Sequence, residues 1–139
     1  MVDEQAVLER LRKLCLALPE TREVEAWGHP NFRAGKKTFA VWEGYKGEWC
    51  IAVKVEADRR EALLADPRFY VSPYIGARGW LSMRVTGPVD WRLVEDLVGR
   101  SYRQFALKRM LDALDGKPAP EKGARGPRGL FGFRPGKGP

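Results

Sequence analysis

Between Glu48 and Glu56 the side chains alternate without a break. Trp49, Ile51, Val53 and Val55 fall on one face, and Cys50, Ala52, Lys54 and Glu56 on the other. A period of two over nine residues describes a β-strand with two unequal faces. Trp80–Val85 repeats the pattern, with Leu81, Met83 and Val85 on one side and Trp80, Ser82 and Arg84 on the other. Strands that alternate in this way belong to an antiparallel sheet packed on one face only. Whatever covers that face must come from elsewhere in the chain.

Two helical stripes can supply it. Val7, Leu11, Leu14, Cys15 and Leu18 recur at helical spacing behind Asp3, a good N-cap, and Pro19 ends the run. Glu9 and Lys13 are spaced to pair on its outer side. A second stripe, Val94, Leu97, Val98, Tyr102, Phe105, Leu111 and Leu114, follows Asp90 and predicts one helix from there to Leu114. Between them, Glu23–Trp27, Asn31–Ala34, Lys37–Glu43 and Arg68–Val71 read as further strands, with turns at Gly28-His29-Pro30 and Gly35-Lys36. Asp58 and Glu61 have the spacing of a capping box at the start of a short helix. The expected architecture is a two-layer α+β sandwich, with N- and C-terminal helices on one face of an antiparallel sheet.

Charge divides the chain. Residues 1–114 hold 19 Lys and Arg against 16 Asp and Glu, whereas residues 115–139 hold 6 against 2, together with 7 glycines and 5 prolines. Such a segment cannot bury enough apolar surface to offset the entropy of ordering. It is expected to be a disordered basic tail behind a domain of residues 1–114. The overall net charge of +7 favours polyanionic partners. Cys15 and Cys50 both fall in apolar patterns and read as reduced core thiols. The N-terminus lacks the basic and apolar regions of a signal peptide, and no run is long enough to span a membrane. A cytoplasmic location is expected.

Catalytic signatures are weak throughout. Gly35-Lys36-Lys37-Thr38 resembles the end of a phosphate loop, but Pro30 stands where the first glycine is required and a strand follows. The single histidine, His29, has no identifiable acid–base partner, and one His with two dispersed Cys offers no metal-ligand spacing. No enzyme activity, cofactor or metal is therefore expected. The outward positions are more informative. Lys54, Trp80 and Arg84 fall on the uncovered face, with Arg33, Lys37 and Arg78 nearby in sequence. Cations bind phosphates and an exposed indole can stack on a base; the equal alternative is a solvated face with Trp80 folded under a loop. In the tail, Arg125 and Arg128 beside Phe131 and Phe133 have the composition of a nonspecific nucleic-acid arm. A second reading gathers His29, Lys54, Tyr74 and Trp80 into a pocket for a small anionic ligand.

Several short segments also carry a family resemblance. They are Leu18-Pro19-Glu20-Thr21, Gly28-His29-Pro30-Asn31-Phe32-Arg33, Lys37-Thr38-Phe39-Ala40, Lys54-Val55, Tyr74-Ile75-Gly76, Gly79-Trp80 and Ser101-Tyr102. In this order and spacing the chain resembles the MmcQ/YjbR family over about residues 5–114. The resemblance implies a CyaY-like (frataxin-like) fold and a double-wing DNA-binding role, with DNA a better partner than RNA. It also raises iron, but the first helix mixes Asp3, Glu4 and Glu9 with Arg10, Arg12 and Lys13 rather than presenting an acidic ridge. Where many relatives carry Cys-Asp-Pro after the lysine matching Lys54, this chain has Val55-Glu56-Ala57.

Overall fold

The computed structural model describes residues 3–73 and 75–116, apart from the side chain of Tyr45. Residues Met1–Leu107 form one compact unit. Its helices are α1 (Glu4–Leu16), α2 (Ala57–Leu64) and α3 (Trp91–Phe105). Its strands are β1 (Thr21–Ala26), β2 (His29–Ala34), β3 (Lys37–Tyr45), β4 (Glu48–Lys54), β5 (Phe69–Val71) and β6 (Trp80–Arg84), with a 3-10 turn at Gly76–Arg78. They make a six-stranded antiparallel sheet in the order β1-β2-β3-β4-β6-β5. This is the expected α+β class. A second unit begins at Lys108, with α4 (Lys108–Leu114), in which Lys108 pairs with Asp112 at 2.8 Å.

The helix-covered face holds the large apolar residues of the alternating strands. Ile51 and Val53 on β4, Leu81 and Met83 on β6 and Phe32 on β2 are all buried. α1 contributes Val7, Leu8, Leu11 and Cys15, and α3 contributes Val94, Leu97, Val98 and Tyr102. Asp3 caps α1 by accepting from the backbone N–H of Gln5 and Ala6, and Asp90 caps α3 by accepting from that of Leu93. Tyr102 ties α3 to the end of the α1–β1 connection, donating its hydroxyl to the Pro19 carbonyl at 2.6 Å. Cys15 and Cys50 are buried and unpaired.

One irregularity in β3 shapes the rest. The β2–β3 register slips between Phe32 and Arg33, where Phe32 faces Ala40 but Arg33 faces Thr38. Phe39 is thus the extra residue of a β-bulge. It turns into the core, where its ring meets Tyr102 edge-on at 5.4 Å. Beyond the last β3–β4 pair, Ala40 with Val53, the ladder opens. The Ser101 hydroxyl of α3 enters the gap, donating to the Phe39 carbonyl at 2.6 Å and accepting from the Lys54 N–H at 3.1 Å. A helix side chain thereby replaces the strand-to-strand bond that would have formed there.

Several expected details differ. The single helix Asp90–Leu114 is two, because Ala106 is extended and breaks it after Phe105. The apolar stripe changes phase at that point: the positions continuing it are Lys108, Arg109 and Asp112, while Met110, Leu111 and Leu114 lie on another side. The capping box on α2 does not form, since its N-cap is Glu56, which makes no side-chain capping bond. Glu9 pairs with Arg12, which also binds Glu23, rather than with Lys13. His29 and Pro30 belong to β2, and the turn before them is Trp27-Gly28. The expected tail beyond Gly116 lies outside the described residues.

Candidate ligand-binding groove

The sheet face away from α1 and α3 is not a flat open surface. Val41, Ala52 and Trp80 form a second apolar cluster on it, against which Ile75 and Phe105 pack. Trp80 is only 7% exposed, and its ring stacks with that of Phe105, centroids 6.2 Å apart. Of the two readings of Trp80, the exposed one that stacks on bases is corrected by this packing and the covered one holds. Its outward parity was right, but the end of α3 and the loop between β5 and β6 fold over it.

What remains open is a groove of about 1120 Å³. Lys37, Thr38, Lys54 and Arg78 line it, as do Trp27, His29, Asn31 and Glu43, with Val41, Ile75, Trp80 and Phe105 between. Strand direction sets these residues at opposite ends. Lys37 begins β3 and Lys54 ends β4, whereas Glu43 pairs with Cys50 toward the other end of both strands. The groove is therefore cationic at one end, apolar along its floor and acidic at the other. The bulge contributes here, because the one-residue slip accompanies Thr38 lining the groove while the preceding pair keeps Ala40 buried.

The cationic end is held by main-chain bonds. The Lys54 N–H is fixed by Ser101, and its carbonyl accepts from Gln104 at 2.9 Å. Its ammonium stands 5.4 Å from the Phe105 ring centroid, a cation–π arrangement. Arg78 is exposed on the loop between β5 and β6. That loop is closely fitted. The buried Ser72 and Ser82 hydroxyls share a 2.8 Å hydrogen bond, and the Gly79 carbonyl accepts from Val55 N–H at 2.9 Å. Gly79 has φ +91°, and a Cβ there would run into the guanidinium of Arg60, whose Nε donates to the Val55 carbonyl.

The other end centres on a tight hairpin. Trp27 and Gly28 join β1 to β2 with φ of 57° and 81°, the two positive values of a type I′ turn. Asn31, buried beneath, donates its amide to the carbonyls of Ala26 and His29 on either side of the turn. Trp27 itself is 93% exposed. Glu43 is partly buried, and burial raises its carboxyl above the ordinary value, while His29, with Nε2 at 3.7 Å from Glu43 Oε2, pulls the other way.

Of the residues singled out from sequence, His29, Lys37, Lys54, Arg78 and Trp80 converge on this groove. Arg33 lies on β2 and is not part of its lining. Arg84 is engaged elsewhere: it pairs with Glu48 at 3.3 Å, donates to the Pro67 carbonyl at 2.8 Å and lies over the Tyr70 ring. It is withdrawn as a free phosphate contact. Tyr74, Arg125 and Arg128 lie outside the described residues. Among the described residues no three His, Cys, Asp or Glu side chains group as a metal site, and no helix is long and apolar enough to cross a membrane. Trp27 and Glu43 were missed. A two-residue X-Gly link between alternating runs was the available signal for the turn at Trp27; Glu43 carried none.

The fold and groove together define a two-layer α+β protein with a recessed site on its uncovered sheet face. The YjbR family model matches residues 16–104, from the last turn of α1 almost to the end of α3, and the chain belongs to the YjbR family. The match includes every groove residue named above except Phe105. Among solved structures, a Deinococcus radiodurans protein described as a DUF419 domain is similar at 22% identity and a TM-score of 0.63, over 84% of this chain and 94% of that one. A Pseudomonas syringae protein is similar at 18% identity and a TM-score of 0.56, over 75% and 98%. These two likenesses concern the fold. Comparison with curated proteins gives no match.

Proposed function

We propose that the protein is a binding module without catalysis, and that its groove takes a small organic anion. The observation that carries this reading is the meeting of Lys37, Lys54 and Arg78 at one end of a recess floored by Val41, Trp80 and Phe105. Cations at the mouth of an apolar recess select a molecule with a charged group and an apolar body. At about 1120 Å³ the recess lies just above the range of small-molecule sites, which run to about 1,000 Å³. The buried free thiols of Cys15 and Cys50 accord with a reducing compartment such as the cytoplasm. A DNA-binding role, which the family resemblance implies, retains the same three cations but loses Trp80 as its stacking platform.

Thermal shift separates the two readings. Phenyl phosphate is expected to raise the melting temperature more than inorganic phosphate does, and Lys54→Met to remove most of that gain. Stabilisation by a short DNA duplex with none by phenyl phosphate would overturn the small-anion reading.

A further inference from the structure

The acidic end of the groove holds two features that cost stability. Trp27 occupies a left-handed backbone position that bulky residues rarely adopt. Asparagine or aspartate would suit the first position of this turn far better. Trp27 also leaves its indole almost wholly in water. Nearby, Glu43 keeps a carboxylate partly desolvated, with His29 rather than a permanent cation beside it. Glu20 and Lys46 share this conformation, but Trp27 alone of the three lines the groove, and backbone outliers cluster at ligand sites. An indole face beside a carboxylate is the chemistry that recognises an ammonium group, through cation–π attraction and an ion pair.

We propose that Trp27 and Glu43 form a subsite for an alkylammonium group, so that the groove selects a zwitterion whose positive end lies there and whose negative end lies among Lys37, Lys54 and Arg78. This rests on the small-anion reading and adds its second half. The spacing sets the ligand length. Six residues of β3, one of them the bulged Phe39, separate Lys37 from Glu43, on the order of 17 Å between Cα atoms. A ligand spanning the recess would meet the ends of long side chains rather than the Cα atoms, so a medium alkyl chain suits the gap. The apolar floor of Val41, Ile75 and Trp80 suits such a chain.

The experiment measures affinities of the full-length protein for ω-amino-octanoate, octanoate and octylamine by titration calorimetry. ω-Amino-octanoate is expected to bind about tenfold tighter than octanoate, the scale of one exposed cation–π contact together with an ion pair to a partly buried carboxylate. Glu43→Gln and Trp27→Asn should each bring that ratio toward one. Trp27→Asn should at the same time raise the melting temperature, because it relieves the turn, so lost preference cannot be put down to unfolding. Octanoate binding as tightly as its amino form would overturn the ammonium subsite and leave the anion reading standing. Octylamine binding with no response to octanoate would overturn the anion reading instead. Binding of none of the three would overturn both.

Discussion

The two faces of the sheet use the same strands for different ends. Under α1 and α3, β4 and β6 present Ile51, Val53, Leu81 and Met83, large side chains that are buried, as are Leu11 of α1 and Val94, Val98 and Tyr102 of α3. On the opposite face the same strands present Cys50, Ala52, Ser82 and Trp80, mostly small, and of these Trp80 lines the groove together with Lys54. The first face places its apolar groups for stability. The second keeps a strained turn, a recessed carboxylate and several cations that contribute little to it. The groove is the difference between them, and it suggests which face a mutation should unfold and which it should only alter.

The contrast is tested most severely at Tyr102. It is fully buried, meets Phe39 edge-on and closes a hydrogen bond to Pro19. Tyr102→Ala should cost about 3–5 kcal/mol in urea unfolding. A loss under about 1 kcal/mol would mean that this face is not the one that holds the fold. Ser101→Ala comes next, because it leaves the Phe39 carbonyl and the Lys54 N–H without their bridge. A loss of about 1–3 kcal/mol is expected. Weaker binding of phenyl phosphate should accompany it, since Lys54 is no longer fixed at the groove end.

The smallest effect lies at Glu43 and concerns pH. Its carboxyl titrates above its ordinary value because burial penalises the charge. The protonated form therefore contributes stability that is fully present below the ordinary carboxylate value and is lost as pH rises through the elevated one. Glu43→Gln should remove that dependence. Melting temperatures of the two proteins should lie close together under acidic conditions and separate toward neutrality, with the glutamine variant the more stable. A gap that closes as pH rises would show that His29 rather than burial governs the site.

Much of the helix-covered face was legible because period and capping chemistry are local. The alternation in Glu48–Glu56 and Trp80–Val85 placed β4 and β6 correctly, and Asp3 and Asp90 cap the helices they precede. The groove was less legible, because it depends on what returns from far along the chain. Nothing around Trp80 announces that Phe105 will lie on it. The bulge at Phe39 has no glycine or proline to mark it, and it sits where Ser101, sixty-two residues away, completes the hydrogen bonding. The break after Phe105 is visible only as a change of phase in the apolar stripe. Trp27 was read as the end of a strand because tryptophan favours strands and rarely takes a positive φ.

α2 has no fully buried residue and would pass for dispensable surface. Yet Arg60 fills the space left by the missing methyl of Gly79 and anchors beside it at Val55. The position of the loop that carries Arg78 to the groove is thus braced from outside, by a helix that does not line it. Substitution along that outer helix could move the loop while every lining residue stayed the same.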